Sequence, residues 1–328
     1  MKSIAVLAVF VIIAAGPVHA EERRASAYTF SLNGEWGFLY GSAYEIVYDS
    51  PSARRYLSEL QWNIKPLFFA GLSLEFGPRD PSDRIAFFAE LKVKAGLPGK
   101  TGVMEDRDWF PNVPVAPGSL THFSSHENHT KAAFFADIGG GVSFPLGKKA
   151  AVKMSLYFSY MFFKYEARNG YTQYGGNPTT TALPCSPWDP SFPKVSFSGL
   201  GVDYTQHWFI LSPGIALVVP GKRISFSVSA ALSPAVACAA FDNHFTRNLL
   251  VNELMFGGIF FEPEGSFFFS FSESMRIGLS VSYRHIGGTR GDRYDTDTST
   301  GIDTPWMRNV SGAGYRAFQG KAAFKITF

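Results

Sequence analysis

The chain has 328 residues, a formal net charge of +3 and only 17% charged residues, so no strong overall field directs it to nucleic acid. Its two cysteines are too few for a disulfide framework, and beyond the first twenty residues no apolar run reaches the ~20 residues that a membrane-spanning helix needs. The aromatic share of 16% includes 32 phenylalanines, and with an ordinary 46% hydrophobic share it is typical of a membrane β-barrel.

The first twenty residues have the composition of a secretory signal peptide. Lys2 supplies a short basic start, and Ile4–Ala15 is an apolar stretch of about the usual 7–15 residues. A cleavage site with small residues follows at Ala20. We therefore expect residues 1–20 to be removed on export, and residues 21–328 to form a single outer-membrane domain.

Alternation of apolar and polar residues with a period of two is the dominant pattern of the remaining chain, and it predicts β-strands. Arg223–Leu232, which reads RISFSVSAAL, places apolar residues on one face and serines on the other. Tyr28–Tyr40, Ile85–Ala95, Arg276–Arg284 and Phe318–Phe328 alternate in the same way. The predicted strands are roughly 13–20 residues long against a typical ~5–6, and their polar faces carry Lys, Arg and Glu, as a barrel lumen does. The sequence therefore predicts an all-β fold, a transmembrane antiparallel up-and-down β-barrel, rather than a soluble sandwich.

Ten strands are predicted, an even number, as single-chain bacterial barrels have. They cover residues 27–44, 56–76, 84–96, 131–144, 150–165, 194–219, 223–240, 247–262, 275–287 and 312–328. Short and long connections alternate. The short turns cover residues 77–83, 145–149 and 220–222, and the long connections cover residues 45–55, 97–130, 167–193 and 288–311. Because short turns face the periplasm, the long connections are expected on the outer side. The pattern leaves the end of the eighth strand open within Glu262–Ser274.

Two short motifs bring titratable side chains to connections that follow odd-numbered strands and therefore open on the same outer rim. Met104–Phe110 reads MEDRDWF, and Phe241–His244 reads FDNH. Each motif taken alone is most simply interpreted as a solvated loop tip. Their shared rim supports a second interpretation, in which the two motifs face each other across a cleft.

The spacing inside each motif suits hydrolytic chemistry. Alternate residues of an extended segment project to the same side, about 6.5–7 Å apart. Asp106 and Asp108 can therefore present two carboxylates to one cleft, and Asp242 can orient the imidazole of His244. A water held between the imidazole and a carboxylate could lose a proton to the general base and attack without a serine or cysteine nucleophile.

A group of histidines raises the alternative of a metal site. His122, His126 and His129 have the spacing H-x3-H-x2-H, which differs from the helical H-E-x-x-H of zinc proteases, and no helix is predicted there. Polar residues of a loop are the favoured interpretation, with a surface zinc site as the minor one. We therefore expect no metal and no other cofactor.

In their order along the chain, the motifs resemble the omptin family of outer-membrane proteases, which form ten-stranded barrels with an extracellular active-site groove. The family motif M-x-D-x-D-W is matched by Met104, Asp106, Asp108 and Trp109, and the family's D-x-H after strand seven is matched by Asp242 and His244. Tyr44–Tyr48 is similar to the first-loop E-x-V-Y of the family, and Ser125–Thr130 is similar to its S-x-H-P-D-T with one residue more. Ser311–Gly314 is similar to the C-terminal end of the family.

The resemblance implies an aspartic-type endopeptidase that hydrolyses peptide bonds with an activated water. Asp242 would orient His244, and His244 would act as the general base toward a water shared with Asp106. Asp108 would complete the carboxylate pair.

The resemblance also implies that Glu45, Ser125 and His126 line the substrate groove. Omptins usually place two acidic residues at the pocket for a basic side chain. Glu45 matches the first of them, whereas Ala240 stands where the second is expected. A preference for Arg or Lys in the substrate is therefore expected to be weakened or shifted.

Lipopolysaccharide binds the family through basic residues on the barrel wall. Lys164 approximates one of these positions, but Phe162 replaces its acidic neighbour and His207 stands where an arginine is expected. Outer-membrane lipid is thus an expected partner, while a requirement for lipopolysaccharide stays open.

The complete prediction is a monomeric surface endopeptidase of the outer membrane that acts on extracellular peptides or proteins. A non-catalytic adhesin or a narrow porin-like channel on the same scaffold is the alternative, although a ten-stranded lumen filled with charged and aromatic side chains leaves little bore. The sequence also leaves open the natural substrate and whether Cys185 pairs with Cys238.

Overall fold

The computed structural model describes residues 28–52, 54–110, 118–175 and 186–328. The predicted signal peptide and Cys185 lie outside these ranges, so signal-peptide cleavage and the pairing of Cys185 with Cys238 stay predictions. Cys238 itself is buried. Regular structure in the described ranges is β-strand apart from one 3-10 turn, Phe245–Arg247. Among the same residues, no helix has the length and apolarity needed to span a bilayer.

Fifteen strands, counted over the described residues, form one antiparallel sheet. They are β1 (Tyr28–Tyr48), β2 (Tyr56–Pro78), β3 (Ala86–Gly96), β4 (Gly99–Asp108), β5 (His122–Leu146), β6 (Ala150–Tyr174), β7 (Val195–Val219), β8 (Ile224–Ser233), β9 (Val236–His244), β10 (Leu249–Phe256), β11 (Ile259–Ser270), β12 (Met275–Gly287), β13 (Arg290–Asp297), β14 (Ile302–Asp303) and β15 (Met307–Thr327).

The sheet closes into a barrel because β15 pairs with β1 on one side and with β12 on the other. The lower ring runs β1, β2, β3, β5, β6, β7, β8, β11, β12, β15 and back to β1, which makes ten positions. Toward the outer end, β4, β9, β10 and β13 take the positions of β3, β8, β11 and β12. The ten-stranded barrel predicted from the sequence is confirmed, and in the described residues the lower ring closes without an unpaired edge.

The strands continue well above their predicted upper boundaries, and the loop assignment of both motifs is therefore wrong. Met104–Asp108 lies on β4 and Phe241–His244 lies on β9, while the three histidines predicted on a loop belong to β5. At the other end, the eighth strand continues to Ser270 as β11. Above the bilayer the outer face no longer contacts lipid, so the apolar alternation ends although the ladder hydrogen bonds continue.

The lower part of the wall carries an apolar outer face and a polar inner face, as the alternation predicts. On β1, Phe30 and Trp36 are 62% and 52% exposed, whereas Asn33 and Glu35 are 3% and 7% exposed. The outward row from Phe30 to Tyr40 rises about 25 Å at ~3.3 Å per residue and a ~40° tilt, which matches the apolar band of an outer-membrane barrel. The remainder of β1, up to Tyr48, therefore stands above the bilayer.

A layer of aromatic side chains crosses the lumen at the level where the wall leaves the membrane. Trp62 stacks against Tyr165 and Tyr204 with ring centroids 5.5 Å apart in both pairs. Phe163 continues the layer, 5.5 Å from Tyr165 and 5.4 Å from Tyr315. All five side chains are fully buried, so the layer blocks the lumen and forms a rigid floor for the groove above it.

Below the aromatic layer the lumen holds a polar cavity of about 750 Å³. Lysine and glutamate side chains line it in ion pairs such as Lys321 with Glu264, at 3.4 Å, and Lys325 with Glu75. The charged lumen predicted from the polar strand faces is therefore present, but the aromatic layer separates it from the outer groove.

Candidate active site

Asp106 and Asp108 project from β4 toward the groove. In register, Asp106 lies opposite Leu60 of β2 and Ser124 of β5, and the Ser58 hydroxyl donates to Asp106 Oδ1 at 3.4 Å. The intervening Arg107 pairs with Glu105 on the other face of the strand. The pair of carboxylates on one side, with the arginine turned away, is the arrangement that the spacing predicts.

Asp242 and His244 project from β9 and contact each other. The His244 Nε2 atom lies against Asp242 Oδ2 at ion-pair distance, although the N–H does not align as a hydrogen bond. Asp242 is completely buried and His244 is 7% exposed. Arg247 can only donate, and its Nη2 donates to His244 Nδ1, so the proton of a neutral imidazole stands on Nε2, facing Asp242.

The two strands that carry these pairs face each other across the lumen. In the upper ring, β4 follows β1 and β2, whereas β9 lies four positions further on, after β5, β6 and β7. Both pairs are at the outer end of the barrel, on one rim. The structure therefore brings Asp106, Asp108, Asp242 and His244 to one groove above the aromatic floor.

The charged groups at the end of β9 influence the pKa values of the two carboxyl groups on β4. Desolvation in the groove raises the pKa of Asp106, and the positive charges of Arg247 and His244 oppose that rise. Desolvation, and then the charge of Asp106, raise the pKa of Asp108 well above its usual range. Asp108 therefore keeps its proton more readily than Asp106, and the pair can carry one negative charge.

A second acidic group lies deeper in the groove, toward its floor. Glu45 of β1 and Glu253 of β10 are 2% and 3% exposed, and Glu45 Oε2 and both Glu253 oxygens have no hydrogen-bond partner. The Ser311 hydroxyl is near enough to the Glu253 carboxylate to lower its pKa, but it does not reach hydrogen-bond geometry. Burial nevertheless raises the pKa of Glu253 to about 7, and burial with the nearby charges of Asp242 and Glu253 raises the pKa of Glu45 well above its usual range.

Glu253 is a residue that the sequence interpretation missed. Ala240 stands where a second acidic pocket residue was expected, and Glu253 is the register partner of Ala240 on the neighbouring strand. The carboxylate therefore comes to the same place from β10 instead of β9. The signal was present in the hairpin: continuing the pairing from His244 opposite Leu249 for four residues leads to Ala240 opposite Glu253.

The serine beside His126 is Ser124, whereas the sequence interpretation named Ser125. The Ser124 hydroxyl donates to His126 Nε2 at 3.1 Å, and His126 Nδ1 donates to the Asn169 carbonyl at 2.6 Å. Ser124 is buried and lies opposite Asp106, while Ser125 is one residue out of phase with this inner face. Burial lowers the pKa of His126, which favours the neutral imidazole.

The other two histidines of β5 are directed to different places. His122 is buried with its ring 4.4 Å from that of Tyr174, whereas His129 is 3.8 Å from Glu127 and partly exposed. In the described ranges, no group of three or more His, Cys, Asp or Glu side chains is arranged to hold a metal ion.

The omptin family model matches residues 26–328. This chain belongs to the omptin family. No curated protein sequence matches it.

Among solved structures, this omptin is similar to the outer membrane protease OmpT from Escherichia coli, with a TM-score of 0.77 at 15% identity over 92% of this chain and 97% of that one. The Pseudomonas putida toluene transporter TodX gives a TM-score of 0.30 at 9% identity, over 92% and 90% of the two chains. The translocator domain of the autotransporter NalP from Neisseria meningitidis gives 0.29 at 10%, over 92% and 88%. The first similarity supports the ten-stranded fold; the other two scores are too low to support any inference.

Membership of the omptin family, with the barrel fold, makes this chain an outer-membrane protein whose groove opens at the cell surface. The omptin wall carries Lys164 on its outer face, just above the apolar band, where its ammonium is 3.3 Å from Asp203. Beside it, the Phe162 and His207 rings are in contact, with centroids 5.0 Å apart. A role for Lys164 in binding lipid stays a prediction.

Proposed function

We propose that this omptin is a surface endopeptidase that hydrolyses peptide bonds with a water held between His244 and Asp106. The proposal is based on the positions of His244 and Asp106 on opposite sides of the groove. The imidazole of His244 contacts the buried Asp242 on β9, and its charge acts on the pKa of Asp106 on β4. Membership of a family of outer-membrane proteases supports the reaction class.

In the proposed reaction, the water donates one hydrogen bond to Asp106 and gives the other proton to His244 Nδ1, since Nε2 faces Asp242. The hydroxide oxygen bonds to the carbonyl carbon of the substrate, and the electron pair of the C=O bond moves to the carbonyl oxygen. Asp242 stabilises the imidazolium that forms. The imidazolium then returns its proton to the amide nitrogen as the C–N bond breaks, which yields a carboxylic acid and an amine.

Asp108 has a different task in this proposal. Because its pKa lies well above the usual range, it stays protonated when Asp106 is ionised. When Asp108 is neutral, no second negative charge lies beside Asp106, and the protonated carboxyl of Asp108 can donate a hydrogen bond to the Asp106 carboxylate. The pair then presents one carboxylate to the water.

For the substrate, we propose that the pocket of Glu45 and Glu253 receives an arginine or lysine side chain next to the cleaved bond. Three oxygens of these two buried carboxylates, Glu45 Oε2 and both of Glu253, have no hydrogen-bond partner, and such groups are costly until a cation is bound. A guanidinium or ammonium group supplies both the charge and the donors. With Glu253 replacing the carboxylate absent at Ala240, the preference for basic residues is retained rather than weakened.

The test uses purified, refolded full-length protein in outer-membrane lipid, with a quenched peptide library that contains basic and neutral sites. We expect cleavage by the wild type, loss of cleavage in His244→Ala and Asp106→Ala, and wild-type activity in the control variants His129→Ala and Asp303→Ala. Cleavage that survives in both site variants would contradict the proposed mechanism. No cleavage by the wild type, with or without lipopolysaccharide, would contradict the proposed function and leave the non-catalytic adhesin or channel. Inhibition by a chelator would favour the metal alternative.

A further inference from the structure

Arg247 lies at the centre of the groove although it belongs to neither sequence motif. It is the last residue of the 3-10 turn Phe245–Arg247, and Asn248, in the left-handed conformation with φ of 50°, ends the turn before β10 begins. This short connection returns the Arg247 side chain over His244. Its Nη2 donates to His244 Nδ1 and is 3.3 Å from Nε2, while the residue remains exposed to the groove.

The guanidinium marks the position at which the reaction would occur. Asp242 faces Nε2, so Nδ1 is the nitrogen available to a water, and Nδ1 is the atom that Arg247 contacts. On the opposite wall, the charge of Arg247 is the largest influence that lowers the pKa of Asp106, and it also lowers that of Asp108. Arg247 therefore lies between the two walls and acts on both.

Most of the other titratable groups around this point are acidic. Asp106, Asp242, Glu45 and Glu253 all face the groove, and burial favours the neutral form of His126. Arg293 lies beside the deeper pocket, where it is paired with Asp295. Within the described ranges, Arg247 is the arginine or lysine whose charge acts on both members of the Asp106–Asp108 pair.

Hydrolysis at this site needs a hydrogen-bond donor that the described backbone of the two motif strands does not provide. The attack of hydroxide turns the carbonyl oxygen of the substrate into an oxyanion, and surrounding carboxylates oppose that charge. Loop and helix N-terminal N–H groups often bind an oxyanion, but both motifs lie inside strands. Because β4 is paired with β2 and β5, and β9 with β7 and β10, their N–H groups are committed to ladder hydrogen bonds. The two described strands that carry the motifs therefore do not supply the donor, and a side chain beside His244 can.

We propose that Arg247 is a catalytic residue that binds the oxyanion of the tetrahedral intermediate. The inference rests on the proposed endopeptidase function. Without substrate, the guanidinium donates to His244 Nδ1 and occupies the base. When a peptide enters, its carbonyl oxygen accepts that N–H, which frees Nδ1 for the proton of the water. As the C–O bond forms and the carbonyl electron pair moves to oxygen, the hydrogen bond to Arg247 becomes charge-assisted on both sides and strengthens.

The experiment compares wild type, Arg247→Gln, Arg247→Lys, Arg247→Ala and His244→Ala on one cleavable peptide. We expect Arg247→Gln to lose about 10²–10³-fold in kcat with little change in KM, which is the usual effect of removing an oxyanion donor. Arg247→Lys should retain more kcat than Arg247→Gln because it keeps the charge. Guanidinium ion at millimolar concentration should restore part of the kcat of Arg247→Ala and none of the kcat of His244→Ala. Arg308→Gln, on the outer part of β15, is the control.

Each other outcome overturns the inference. If Arg247→Gln cleaves as fast as the wild type, or faster, the side chain merely covers the base. If the loss is confined to KM, Arg247 binds substrate and does not act on the transition state. A kcat loss that guanidinium ion does not restore in Arg247→Ala indicates a structural role. The proposed function fails separately: in that case the wild type does not cleave, or cleavage does not depend on His244.

Discussion

Replacing Glu253 with glutamine should make this protein more stable and less selective. The substitution keeps the size of the side chain and removes a carboxylate whose pKa burial raises from 4.5 to about 7. At ~1.4 kcal/mol for each pKa unit, ionising this group in the folded barrel costs about 3 kcal/mol. Glu253 is 3% exposed, so solvent does not screen this cost appreciably.

The sign of the pH dependence follows from linkage. In the unfolded chain Glu253 titrates near its usual pKa, and in the barrel it titrates near 7, so the folded state binds the proton more tightly. The stability of the wild type should therefore fall as the pH rises from about 4.5 to above 7. Glu253→Gln should unfold at the same denaturant concentration as the wild type at pH 4.5, and should be more stable by up to about 3 kcal/mol at pH 8.

Selectivity should change in the opposite direction. Removal of one partner of a buried charge pair costs about 2–5 kcal/mol. Because Glu45 remains in the pocket, we expect a loss at the low end of this range, about 2 kcal/mol. This corresponds to a ~30-fold decrease in the ratio of kcat/KM for an arginine peptide to kcat/KM for a neutral one. The wild-type preference for arginine should rise between pH 6 and pH 8 as Glu253 ionises. The preference of Glu253→Gln should rise less over this range, because Glu45 is then the one pocket carboxylate of this pair left to ionise.

The assay is reversible urea unfolding in lipid vesicles at the two pH values, combined with kcat/KM for matched arginine and glutamine peptides. Glu105→Gln, on the outer face of the same rim, is the control and should change neither quantity. Equal stability of Glu253→Gln and wild type at pH 8, or an undiminished preference for arginine, would refute the placement of an ionisable carboxylate in the substrate pocket.

Three further expectations follow from the geometry. Asp106→Asn should lower kcat by about 10²–10⁴-fold, the range for general acid–base groups, whereas Asp108→Asn should retain most activity because Asp108 is already neutral; equal losses would contradict the one-charge pair. Ser124→Ala should lower kcat/KM several-fold because His126 loses a hydrogen bond, and Ser125→Ala should not, as peptide kinetics would reveal. Trp62→Ala should destabilise the barrel by about 3–5 kcal/mol in urea unfolding, and unchanged stability would refute a packed aromatic floor.

The sequence was most informative where the wall meets lipid. On β1 and β12, each residue has either a lipid or a lumen environment, so the period-two pattern predicts the inner and outer faces that the structure confirms. The pattern fails above the bilayer, where both faces contact water or neighbouring side chains. There the upper strands such as β4 and β13 have no apolar alternation, and they were predicted as loops.

Some residues of the candidate site could be predicted from the sequence and others could not. Asp106, Asp108, Asp242 and His244 occur in compact motifs, and the parity of the strand count assigned the motifs to one rim. Glu253 was missed because its place in the pocket depends on the register of β9 against β10, which no single segment reveals. Arg247 was missed for a related reason, since its return over His244 depends on the conformation of a four-residue connection.

The central claim is that one water is activated jointly by His244 and Asp106, and a double-mutant cycle on kcat tests it most directly. If both residues act on the same water, His244→Ala, Asp106→Asn and the double variant should lose similar factors in kcat, because either change alone disables the unit. Losses that multiply in the double variant would mean that the two walls act independently, and this would contradict the account.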